Sequence, residues 1–113
     1  MGELPDVEAV VLRGLTDEER RGAVVYLDDR VIEPPEVVTI DGEEIEVSSP
    51  SIVAFVDQDP GANWGHASRY VIVDTERGEA RSIPAQMPPF LRGVPATLRV
   101  IYRAEGVPDW AVA

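Results

Sequence analysis

The chain has 113 residues, with 21 acidic against 10 basic, for a formal net charge of −11 and a pI near 4.3. Such a surface repels nucleic-acid phosphates and anionic lipid, because it cannot supply the cations that displace their counterions. Cysteine is absent, which excludes disulfides, thiolate nucleophiles and cysteine metal sites.

The length and the 44% hydrophobic fraction suit one folded domain over residues 1–113. Every basic residue is arginine and lysine is absent, as expected of a high-GC bacterial genome. The first residues have neither the basic nor the apolar region of a secretory signal. No apolar run approaches the ~20 residues of a membrane span. The expectation is a cytoplasmic protein with no nucleic-acid or membrane partner; its oligomeric state stays open.

Val7 to Leu12 is a short apolar run with one acidic interruption and reads as a strand. Thr16-Asp-Glu-Glu19 has the form of a capping box, which predicts a short helix over 17–21 ended by Gly22. The alternative is one helix over 17–29, weakened by that glycine. Ala23 to Leu27, rich in β-branched and aromatic types, reads as a strand. Val37 to Ile40, then Asp41-Gly42, then alternating Ile45 and Val47, predicts a tight hairpin, since Asp-Gly supplies positive φ angles.

Ser51 to Val56 and Tyr70 to Val73 are continuously apolar, the pattern of central strands covered on both faces. Asp74 to Gly78 is a turn into a weaker strand at Glu79 to Ile83. Prolines between Pro84 and Pro95 predict a long loop, because they remove ladder donors. Leu98, Val100 and Tyr102 alternate with Arg99, Ile101 and Arg103 as in a half-buried strand. The sum is an all-β domain, an antiparallel β-sandwich of about 7–8 short strands with at most one short helix.

The polar and aromatic residues gather between two of these strands. Asp57, Asp59, Asn63, Trp64, His66 and Arg69 share one loop, the usual place for a binding site held by rigid elements. Asp57, Asp59 and Asn63 resemble the start of a calcium loop, although Ser68 stands where a helical calcium hand requires Glu. The sole histidine, His66, is the only side chain with an ordinary pKa near neutrality. Any imidazole acid–base chemistry would run through it, with Asp57 or Asp59 orienting the ring. Trp64 and Arg69 suit an anchor for a peptide or small ligand. Trp110, near the chain end, is expected to dock on the core.

The leading expectation is a small acidic binding module, not an enzyme, which recognises a protein, peptide or small ligand through the 57–69 loop. One alternative is a small hydrolase or lyase using His66 as acid or base. The other is a calcium-dependent binding domain using Asp57, Asp59 and Asn63. No cofactor is expected.

Overall fold

A computed structural model describes residues 5–113. Two short helices precede seven strands: α1 (Val7–Arg13), α2 (Asp17–Gly22), β1 (Val24–Ile32), β2 (Val37–Ile40), β3 (Glu43–Glu46), β4 (Ser51–Asp57), β5 (Ser68–Asp74), β6 (Ala80–Ala85) and β7 (Leu98–Arg103). Five strands form one antiparallel sheet in the order β6-β5-β4-β1-β7, while β2 and β3 pair only with each other. No helix among the described residues is long and apolar enough to cross a membrane.

The all-β antiparallel class stands, with its central strands where the apolar runs place them. The fully buried run Val24 to Leu27 lies in β1 between β4 and β7. Asp41 and Gly42 take φ angles of 51° and 80°, so the hairpin turn is the one their residue types require.

The N-terminus corrects the strand reading of Val7 to Leu12, and with it the limit of one helix. Asp6 caps α1 by accepting from the Ala9 amide at 3.2 Å. Val7 and Val11, four apart, then face the core with Val10 beside them, a helical period that a six-residue run does not distinguish from a strand. The second helix has both halves of its capping box, Thr16 Oγ1 accepting from the Glu19 amide and Glu19 Oε1 from the Thr16 amide.

Alternation along the strands sends side chains to two separate cores. One face carries Val25, Leu27, Ala54, Val56, Val71 and Val73 and is covered by Val7 and Val11 of α1 and by Leu15 of the connection to α2. The other carries Val24, Tyr26, Phe55, Tyr70 and Ile72, and is covered by Val38 and Ile40 of the hairpin together with loop residues Trp64 and Phe90. The layer opposite the sheet on this face is therefore a two-stranded hairpin with loops. The simple alternation expected of β7 is broken, because its register to β1 slips between Val25 and Tyr26. Ile101 and Tyr102 consequently both pack toward the helical face.

Candidate functional site

The loop over residues 58–67 leaves the sheet at Asp57, the last residue of β4, and returns at Ser68, which pairs with it. Asp57 shares the face of Phe55 by the two-residue period, which turns its carboxylate inward at 2% exposure. Its Oδ1 accepts from His66 Nε2 at 2.7 Å and from the Asp59 amide at 3.1 Å. The other ring nitrogen, Nδ1, lies 3.0 Å from the Asn63 carbonyl oxygen.

Both partners of the imidazole are acceptors, an arrangement that favours the ring with a proton on each nitrogen. Burial alone would lower the His66 pKa. The Asn63 carbonyl, the hydrogen bond and charge of Asp57, and the charge of Asp59 outweigh burial and raise it. The Asp57–His66 contact, an ion pair when the ring is protonated, joins side chains that are 2% and 8% exposed. It ties the loop's far end to the end of β4.

Trp64 lies flat on this ring, with centroids 4.3 Å apart and planes inclined by 24°. A cation against an indole face is attracted by the ring quadrupole. The indole also meets Phe55 at 6.0 Å and Phe90 at 5.5 Å, so it closes the end of the second core. Trp64→Ala is expected to cost about 2–3 kcal/mol, somewhat less than truncating a fully buried aromatic. Urea melts would check this, and a loss under about 0.5 kcal/mol would mean the indole packs on nothing.

Arg69 goes elsewhere. It falls between Ser68 and Tyr70 in β5 and so projects through the opposite face, toward the helices. Its Nε and Nη2 each donate to Glu19 at 2.8 Å, Nη1 to Ser82 Oγ at 3.1 Å, and Nη2 also to the Gly14 carbonyl at 3.2 Å. Gln58 Nε2 donates to the same Glu19 carboxylate at 2.8 Å. Held first by Arg69, and by Thr16 and Gln58 against the cost of burial, the Glu19 carboxyl is lowered to about 2. This cluster joins α2 to the sheet, and only the capping-box spacing at Glu19 hinted at it in the sequence.

Asp59 and Asn63 are exposed, and what they give the loop is backbone: an amide to Asp57 and a carbonyl to His66. The His66 ring lies between the Asp57 carboxylate and the Asn63 backbone carbonyl. Among the described residues, no group of three or more His, Asp or Glu side chains could hold a metal ion. Acid–base use of His66 would need one of its two hydrogen bonds to break, since neither ring nitrogen is open to a substrate. Ser68, the nearest hydroxyl in sequence, is 3% exposed and donates to the Ala85 carbonyl at 3.0 Å.

What the loop presents to solvent is a different aromatic. Trp110 is 76% exposed, against the expectation that it docks. A 3-10 turn over Asp109–Ala111 turns it outward, while Val107 and Val112 on either side pack on the core. Its ring rests on Gly61, where an added Cβ would come within 2.9 Å of the indole and where φ is +89°. The proline-rich loop abuts the same region through the Gly65 amide on the Gln86 carbonyl and through Phe90 on Trp64. It carries two further exposed apolar side chains, Leu91 and Val94.

Two concavities lie on the hairpin side of the sheet, and none of residues 57–69 lines either. An open groove of about 1040 Å³ runs between β3 and the edge strand β6, with Glu44, Glu46, Asp74 and Glu79 against a single cation, Arg81. A smaller pocket of about 260 Å³ sits between β2 and the centre of the sheet. No protein-family model, curated protein or solved structure matches the chain.

Proposed function

We propose that the protein is a non-enzymatic binding module that holds a protein partner against the 57–69 loop and Trp110. The exposed Trp110 seated on Gly61 carries this reading. Tryptophan supplies large contact area at little entropic cost and is enriched among the residues that dominate binding energy. The surface beneath it is held rigid by the buried Asp57–His66 pair, so little ordering is required on association. With a net charge of −11, the complementary partner has an apolar pocket for the indole and a basic rim.

Trp110→Ala tests this. The variant should melt at the same temperature as the native chain, since the side chain is mostly in solvent. Immobilised on a surface, it should lose partner captured from source-cell extract by at least about 30-fold, the loss of a binding residue worth about 2 kcal/mol. Equal capture by both proteins would remove Trp110 and its loop from the recognition surface.

A further inference from the structure

We infer that the pocket between the hairpin and the sheet binds a small flat molecule of one or two rings that carries a hydrogen-bond donor at one end. This site is separate from the 57–69 surface. The pocket holds about 260 Å³, just under the range usual for drug-sized ligands.

The lining sets the chemistry. At the inner end, Phe55 and Tyr70 meet with centroids 5.0 Å apart and planes inclined by 59°, a corner that offers a ring both a face and an edge. The Tyr70 hydroxyl is already engaged, donating to the Met87 carbonyl at 3.0 Å, so this end is apolar in effect. Val38 closes the pocket from the hairpin. The hairpin cannot settle freely onto the sheet, because the Asp41 carboxylate at its tip accepts from the Gln86 and Met87 amides at 2.9 and 3.0 Å.

The other end is polar for a reason visible in the strand pairing. Asp28 of β1 lies between Val53 of β4 and Leu98 of β7 on one rung of the sheet, facing the pocket where the pattern calls for an apolar residue. Its Oδ1 accepts from the Arg30 amide at 2.9 Å, and Oδ2 has no partner among the described residues. Arg30 also lines the pocket, and its guanidinium is paired with Glu36 at 2.7 Å. A ligand donor therefore meets a free carboxylate oxygen, whereas the one cation in the lining is already paired with Glu36. An amine or an N–H at the end of an aromatic ring system fits both ends at once.

Calorimetry on the full chain with tryptamine and with indole-3-acetate separates the possibilities, since the two share a ring and differ in the charge of the tail. Tryptamine should bind at least about tenfold tighter, as expected for a charge-assisted hydrogen bond. Asp28→Asn should erase that preference, and Val53→Phe should abolish binding by filling the space. Methyl NMR of the native chain provides a readout that does not depend on the variants folding: tryptamine should shift the signals of Val38, Val53 and Leu98. Trp110→Ala should bind tryptamine as the native chain does, which keeps this site distinct from the proposed partner surface. Binding of neither compound, an equal affinity for both, shifts confined to other methyls, or undiminished binding by a folded Val53→Phe would each overturn the inference.

Discussion

Asp57→Ala is expected to destabilise the protein by about 3–5 kcal/mol, the cost of leaving one member of a buried ion pair without its partner. At about 4 °C per kcal/mol for a domain of this size, the melting temperature falls by more than about 10 °C. The loss exceeds that of an exposed pair because the carboxylate and the imidazole are 2% and 8% exposed and the carboxylate also holds the Asp59 amide. The pH dependence follows from the raised His66 pKa. A group whose folded pKa lies above its unfolded one stabilises fully below the unfolded value, here near 6.5. That contribution fades as pH rises through the folded value. Urea melts from mildly acidic to alkaline pH should therefore show native stability declining above neutrality, and Asp57→Ala should lack that decline. A flat native profile would mean that the imidazole has the same pKa folded and unfolded, and one that rises with pH would mean that the ring is held neutral in the fold.

Glu19→Ala should be comparably damaging, again about 3–5 kcal/mol, because it strands the Arg69 guanidinium beneath the sheet. Arg69 would keep only Ser82 Oγ and the Gly14 carbonyl, Gln58 would lose its acceptor, and α2 would lose its capping box. The acid side of the stability curve carries the same signature. With its carboxyl lowered to about 2, Glu19 stabilises above its ordinary value of 4.5, and that contribution disappears as pH falls from there toward 2. Glu19→Gln preserves the shape of the side chain and should remove the acid-dependent part while sparing more of the helix. Circular dichroism of the three proteins between pH 2 and pH 6 would follow both effects. A loss under about 1 kcal/mol in Glu19→Ala would mean that the cluster behaves as an exposed surface pair.

Several elements were legible because their signals are local. The apolar runs at Ser51–Val56 and Tyr70–Val73, the Asp41-Gly42 turn and the Thr16–Glu19 capping box each depend on neighbours within a few residues. The helix α1 was not, because six residues containing three valines satisfy two periods at once, and packing against β5 decides between them. For the candidate site, the sequence offered Asp57 as one possible orienter of His66. It could not place the second nitrogen against the Asn63 carbonyl, the contact that engages both ring nitrogens. Arg69 and Glu19, fifty positions apart along the chain, meet only because the strand sends one side chain to the helical face.

Local chemistry thus determined where strands, turns and caps form, since backbone preference and hydrophobic period act over short distances. Tertiary packing alone decided which side of the sheet each charged group faces and which aromatic stays in solvent. Those outcomes depend on register and on burial against partners remote in the chain. Trp64 is withdrawn onto Phe55 and Phe90 while Trp110 stands exposed on Gly61, although both are tryptophans flanked by small or polar residues.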